Sequence, residues 1–325
     1  MIKIKKFTAS DIEFKELARI DNLVNHDSIS HPDDDKNDWE IRDKKLIRDR
    51  LLLYKHNKLI GVIYYVQGRD ENKRTAFYTL NLDPKYNGKG YRNLLFNAML
   101  KEIKVFNCNQ VHTSIYDHPN YYEHKKLLIN KGFKLVQTNR EYSCEIKKVD
   151  IKKYQRLIQK LETEGIKFYD SKKEMKDNPE KFPNHYKKLE ELIWTYDQDM
   201  PIPNGIRHTR MPFKQAMKLQ LEFENNNYGT EIVAVKKNKY IGSTDISVYY
   251  KSEPHKGWTG GLGVLKEFRR KGIATAIKIK AIEQLLKKNI TEVRTDNEKN
   301  NPMYKINVEL GFKPVPFSLD YSLDI

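Results

Sequence analysis

The sequence predicts a mixed α/β protein made of two copies of one domain, and three observations predict it. Its 325 residues are about twice the ~150 residues of an ordinary domain. The chain repeats one order of parts: FYTLNLDP, YNGKGYRNLLFNAMLKEI, QVHTSIYD and LLINKGFKLV in the first half, then TGGLGVLKEF, RRKGIATAIKIKAIEQLL, ITEVRTDN and NVELGFKPV in the second. In each copy a strand-like apolar run leads through a glycine loop into a helix-spaced run. The loop glycine lies 43 residues before the closing phenylalanine in the first copy (Gly90 to Phe133) and 40 in the second (Gly272 to Phe312).

Each copy reads as a strand, one or two helices, three consecutive strands, a helix, a strand, a helix and closing strands. Residues 26–38, HDSISHPDDDKND, carry a proline and a run of acids and read as an exposed loop. Between the copies, Tyr154, Leu157, Ile158 and Leu161 recur at helical spacing with no glycine until Gly165, which predicts a connecting helix. The boundary is expected near residue 150, giving domains 1–149 and 150–325. Residues 231–250 read as a hairpin with KKNK as its turn. After Gly272, apolar residues at 273, 276, 277, 281, 282, 285 and 286 recur at helical spacing, so RRKGIA sits where a strand gives way to a helix.

Composition narrows the class. Hydrophobic residues are 38% and charged residues 32%, yet 20 Tyr and 13 Phe supply bulky apolar area, which argues against wholesale disorder. No apolar run approaches the ~20 residues that span a bilayer, and the opening MIKIKKFTAS lacks the apolar middle of a secretory signal; a soluble, cytoplasmic protein without a membrane partner is expected. Cys108 and Cys144 are too few for a disulfide framework and read as buried thiols. His112, His118 and His124 have no HExxH or cysteine company, so no metal is expected. The net charge of +16 would suit a polyanion. It is scattered, however, in a Lys-, Asn-, Ile- and Tyr-rich chain, and a nucleic-acid partner is not favoured.

The strand-to-helix junction carries the chemistry. A helix that starts there leaves its first amide N–H groups unpaired and presents the positive end of its dipole, which suits an anion. Arg269, Arg270 and Lys271 precede Gly272, and Ala274 keeps the next position small, so a pyrophosphate would fit. Neither GxxxxGK[ST] nor GxGxxG is present. The pattern [QR]xxGx[GA], met as Arg269, Gly272 and Ala274 after a strand ending near Val264, resembles the acetyl-CoA signature of the GNAT superfamily of N-acetyltransferases. The later TDNEKNNPMYKINVELGF is similar to that family's last strand and helix. The second half fits throughout and the first half more weakly, so the chain resembles a tandem GNAT protein.

The resemblance implies two domains, each a mixed, mostly antiparallel twisted sheet flanked by helices, with acetyl-CoA as the cofactor of the second. It implies that Leu262, Gly263 and Val264 bond the pantetheine arm through their backbone. Arg269, Arg270, Lys271, Gly272, Ile273 and Ala274 would hold the diphosphate, Asn300 would match a CoA-contacting asparagine, and Asn297 would line the cleft. Where many members have a tyrosine acid, this chain has Asn307; Tyr304, one turn earlier, is the alternative acid, and a thiolate of pKa about 8.5 can also leave unaided. An alkylammonium of pKa about 10 is only about one-thousandth neutral at pH 7, a cost of about 4 kcal/mol. Asp197 and Asp199 in TYDQDMPIPN are expected to take that proton, beside apolar walls from Trp194 and Tyr196, with Asp245 a weaker candidate.

In the first copy Asn87 replaces the Gln/Arg, Arg92 replaces the small residue, and Leu128 stands where the acid would be. That domain is expected to be degenerate, with Arg92 reaching a phosphate as the opposite case. The expected activity is acetyl transfer from acetyl-CoA to a primary amine on a small molecule, an amino-sugar antibiotic or a peptide, by a monomer or homodimer. The alternatives are an aminoacyl-tRNA-dependent peptidyltransferase, which predicts loss of the loop, and a non-catalytic acyl-CoA sensor or scaffold.

Overall fold

A computed structural model describes residues 1–25, 27–249, 251–301 and 303–325. They form two compact units, one of residues 1–140, 202–209 and 316–325, the other of residues 141–201 and 210–315. No helix among the described residues is long and apolar enough to cross a membrane, and Cys108 and Cys144 are buried and unpaired.

The first unit begins with β1 (Ile2–Lys6), α1 (Asp11–Val24) and α2 (Pro32–Ile41). Ser10 opens α1 with a capping box: its hydroxyl accepts the Glu13 N–H, and the Glu13 carboxylate accepts the Ser10 N–H. The loop expected over residues 26–38 is a helix from Pro32 onward; residue 26 lies outside the described residues. The His31 side chain caps α2 by accepting the Asp33 N–H, Pro32 supplies a preset φ, and Asp33, Asp34 and Asp35 meet the positive end of the dipole. Those residues mark a helix start as much as a loop. Then come β2 (Arg48–Lys55), β3 (Lys58–Gln67), β4 (Thr75–Leu82), α3 (Tyr91–Lys104), β5 (Gln110–Tyr116), α4 (Tyr122–Asn130) and β6 (Lys134–Glu145), whose last five residues belong to the second unit. The sheet order is β1-β2-β3-β4-β5-β13-β6, with the chain's last strand, β13 (Ser318–Asp324), antiparallel to both β5 and β6. Phe14, Leu17 and Ile20 of α1 cover Leu52 and Val62 on one face. Leu95, Phe96 and Met99 of α3 cover Leu51, Ile63, Leu80 and Val111 on the other.

The second unit holds α5 (Gln155–Thr163), β7 (Ile166–Asp170), α6 (Ser171–Asp177), α7 (Phe182–Asp197), α8 (Phe213–Asn226), β8 (Asn227–Lys236), β9 (Lys239–Tyr249), β10 (Lys256–Val264), α9 (Ile273–Lys287), β11 (Glu292–Glu298), α10 (Tyr304–Glu309) and β12 (Lys313–Pro314). Its strands run β6-β11-β10-β9-β8-β7, with β12 on β6. The expected hairpin is β8–β9: Lys237 and Asn238 both take positive φ, 48° and 63°, the turn whose twist matches two right-twisted strands. Its last residue, Tyr250, lies outside the described residues. Leu189, Leu192 and Tyr196 of α7 pack on Val233 and Leu265. On the opposite face α9 buries Ile273, Ala276, Ile277, Ile279, Ala281, Ile282 and Leu285 against Ile232, Ile246, Val248 and Val293. Each fully buried isoleucine there contributes about 1.5–3 kcal/mol.

Candidate functional site

The start of α9 has the geometry its sequence suggested. Gly272 is the N-cap at φ 82°, ψ 6°, and no side chain caps the helix, so its leading N–H groups are directed outward. A side chain at Gly272 would be strained at that φ, and a Cβ would also come within 2.7 Å of Leu157 Cδ1. Arg270 is left-handed as well, at φ 65°. The Arg269 guanidinium turns back, donating from Nε to the Val264 carbonyl at 2.8 Å and from Nη2 to Asp199 at 2.8 Å. Arg270 and Lys271 are exposed.

Asp199 is bound up with that loop. It accepts from Arg269 and pairs with Lys266 at 2.9 Å, and these two cations hold its carboxyl below the usual range. A carboxylate with two cationic partners is less basic than a free one, and here it joins the loop's ion pairs. Asp197 ends α7, half-buried.

The strand before the loop opens away from its parallel neighbour. β10 pairs with β11 only from Lys256–Trp258 to Glu292–Arg294, although both strands run on. Past that point Leu262, Gly263 and Val264 pair with Thr244, Ser243 and Gly242 of β9 on one side, leaving the edge toward β11 outside the ladder. A register shift between Thr259 and Gly261 makes Gly260 a bulge. The glycines are required here: a Cβ at Gly260 would sit 2.2 Å from Asp245 Oδ2, and one at Gly263 2.2 Å from Tyr196 Cγ.

Asp245 and Tyr196 thus lie directly on the opened strand. Tyr196 is buried, its hydroxyl stands 3.3 Å from Ser243 Oγ, and burial pushes its pKa up. Asp245 faces Glu231 across β8–β9, and the buried Glu231 carboxylate accepts from the Ser171 hydroxyl. Two carboxylates directly opposite one another repel, which makes this stretch of β8–β9 a locally negative part of the sheet. The sequence alone marked Asp245 as the weaker candidate and Tyr196 as a wall; the cross-strand register adds Glu231 beside Asp245.

Behind this strand runs a buried polar chain. Lys278, on the otherwise apolar face of α9, donates to Asn307 Oδ1, and Asn307 Nδ2 donates to Asn297 Oδ1 at 2.7 Å. The Lys278 ammonium lies 4.4 Å from the centre of the Phe312 ring, and burial lowers its pKa to about 7. Asn307 therefore has both amide ends engaged, and Asn297 reaches it from the end of β11. Tyr304 packs against the core. Asn300 is tied to Glu298 by its own N–H at 2.7 Å and by its side-chain amide at 3.2 Å. Lys278 escaped the sequence reading because a lysine at a buried helical position looks like a register error.

Residues 189–312 match the acetyltransferase (GNAT) family. No curated protein matches the sequence. Among solved structures, a tandem GNAT protein from the clavulanic acid biosynthesis pathway, solved without AcCoA, superposes over 100% of this chain and 98% of its own, with a TM-score of 0.76 at 14% identity. A GCN5-related N-acetyltransferase from Sphaerobacter thermophilus covers 99% and 95%, with a TM-score of 0.68 at 13% identity. A GCN5-related glucosamine N-acetyltransferase region of a fungal GH3 β-N-acetylglucosaminidase covers 99% of this chain and 38% of its own, with a TM-score of 0.72 at 14% identity. The chain has the fold of these tandem GNAT structures, and part of its second half matches the GNAT family.

Proposed function

We propose that the second unit transfers the acetyl group of acetyl-CoA to a primary amine by direct attack. The observation that carries this reading is the pairing of an uncapped α9 N-terminus at Gly272 with a β10 edge that leaves its parallel ladder after Trp258. The residues present fit the cofactor: N–H groups at Gly272, Ile273 and Ala274, flanked by Arg269, Arg270 and Lys271, would hold a diphosphate, and the main chain of Leu262, Gly263 and Val264 would bond a pantetheine arm. Acetyl-CoA, when bound, supplies the acetyl group as a thioester.

The rest falls to the chain's own side chains. Asp245, with Glu231 opposite it, attracts the protonated amine and accepts its proton as the amine attacks, so that the cost of about 4 kcal/mol of a neutral amine at pH 7 is met within the site. Asp199 braces the loop by holding Lys266 and Arg269. Tyr196, packed on Gly263, shields the strand from water, and its hydroxyl is a donor beside it. Asn297, held by Asn307 and Lys278, marks the opposite lip. Aligning amine and thioester in one cleft is worth up to about 10 kcal/mol.

The test is thiol release from acetyl-CoA by purified protein across a panel of small amines, amino sugars and peptide N-termini, with Arg269→Glu and Gly272→Asp as loop variants. Release with at least one amine, lost in Gly272→Asp, is the expected result. Cofactor binding without release for any amine would point to a sensor, and tRNA binding without affinity for acetyl-CoA to a peptidyltransferase.

A further inference from the structure

The first unit contains a cavity of about 460 Å³, within the size range of small-molecule sites. It lies on the α1–α2 side of the sheet, and its floor is a row of cross-strand neighbours: Arg48 beside Val66, Val66 beside Phe77, and Phe77 beside His112. The next row brings Arg50, Tyr64 and Thr79 together. Two further arginines, Arg42 and Arg69, join the wall.

The charges there are unevenly satisfied. Arg50 is spent: it makes two 2.7 Å bonds to Asp35 and is boxed by the rings of Phe7, Phe14, Trp39 and Tyr64. Arg69 pairs with Asp43 at 2.8 Å. Asp320 accepts from Ser114 and Asn139, and Asp49 accepts the Arg50 N–H. Arg42 lies over the Trp39 ring, 3.6 Å from its centre, and among the described residues its side chain donates to the Trp39 carbonyl alone. The Arg48 side chain makes no direct hydrogen bond or ion pair among the described residues, and the carboxylates acting on it at longer range are Asp38 and Asp35. Burial and the neighbouring arginines push both guanidiniums down in pKa, while Asp38 and Asp35 act the other way on Arg48, and Asp49 on Arg42.

We propose that this cavity binds a flat organic anion of single charge, an aromatic carboxylate, with its carboxylate on Arg48 and Arg42 and its ring along Tyr64, Phe77 and His112. Guanidinium forks match a carboxylate in two parallel bonds. The Phe77 and His112 rings stand 5.7 Å apart at 44° and offer a ring-shaped wall. His112 is kept uncharged by burial, with Nε2 3.1 Å from the Gln110 side-chain oxygen, so that wall adds no charge. Asp43, Asp49 and Asp320 in the same lining would repel a dianion, which selects one negative charge over two. The site lies wholly in the first unit and is independent of the transfer proposed for the second.

The test is calorimetric titration of the full chain with benzoate, phenylacetate and indole-3-acetate, against benzamidine as a cation of matching shape and inorganic phosphate as a ringless anion. At least one carboxylate is expected to bind with Kd below about 1 mM. Arg48→Met should weaken it at least about tenfold, since a hydrogen bond to a charged group is worth about 1.5–3 kcal/mol, with an unchanged circular dichroism spectrum and unchanged acetyl-CoA affinity. Phe77→Leu should weaken the aromatic acids. The proposal is overturned if none of the three acids binds in that range, if benzamidine binds as well, if phosphate displaces the acid at equal concentration, or if Arg48→Met leaves affinity unchanged.

Discussion

The two units keep the same frame and fill it differently. Both begin their long helix at a left-handed glycine without a side-chain cap, Gly90 at φ 76° and Gly272 at φ 82°. Both stop their parallel ladder after three pairs. In the first unit, however, β4 has no glycine and pairs with β3 in unbroken register from Ala76 to Leu82, whereas β10 has Gly257, Gly260, Gly261 and Gly263 and a bulge. Two residues after the loop glycine stands Arg92 in one unit and Ala274 in the other. Arg92 is buried and donates to Asn87 at 3.0 Å, its Nε and Nη1 lack partners, and burial lowers its pKa to about 10. Six residues after the same glycine stand Phe96 and Lys278, and five before the closing phenylalanine stand Leu128 and Asn307. One unit therefore has an apolar cluster where the other buries a lysine–asparagine chain. A fold can keep its backbone cradle while its use depends on which side chains are cleared away from it.

Four experiments probe that contrast. The largest effect is expected at Asp245: Asp245→Asn should lower kcat about 10²- to 10³-fold, whereas Asp199→Asn should change mainly the affinity for acetyl-CoA. If both variants lose kcat alike, the carboxylate pair has no special role. Next, Ala274→Arg copies the first unit's residue into the second and should weaken acetyl-CoA binding at least about tenfold by titration. The reverse change, Arg92→Ala, should confer none, because β4 lacks the bulge.

Lys278→Met with Asn307→Leu makes the second unit's interior resemble the first's. Chemical denaturation at pH 6 should show equal or greater stability, by about 1–4 kcal/mol, with lower turnover. The pH dependence distinguishes the charge from the packing. Because the Lys278 pKa is lowered to about 7 by burial while an unfolded lysine titrates near 10.4, the unfolded chain holds the extra proton between those values. Stability of the natural protein should therefore rise from pH 7 toward pH 10, by up to about 1 kcal/mol per pH unit more than in Lys278→Met. Equal slopes would mean the ammonium is not buried. The smallest effect is Arg92→Met, which removes unpaired buried nitrogens and should raise stability by about 1 kcal/mol in the same assay.

Much of this was legible before any coordinates. Helical spacing after Gly272 located α9, and the KKNK turn located the β8–β9 hairpin. The carboxylate pair was hidden by one residue of register. Counting back from the turn without interruption sets Glu231 opposite Thr244; the irregularity between Ala234 and Val235 moves the partner to Asp245. The charge pattern at Asp199 suggested a substrate contact, but only distances could reveal Lys266 and Arg269 already upon it. For α2, acids after a proline suit a loop or a first turn equally, and the His31 cap decides between them.

The place of β13 bears on how the molecule comes into being. Residues 318–324 lie between β5 and β6 and bond to both, so the first-made unit lacks an interior strand until the ribosome has passed through the whole second unit. Its two neighbours must wait as unmated edges throughout that interval, exposed to the wrong partner. Assembly of the leading half is thus timed by a strand made after the trailing one, and damage to residues 316–325 would be felt first in the half made earliest.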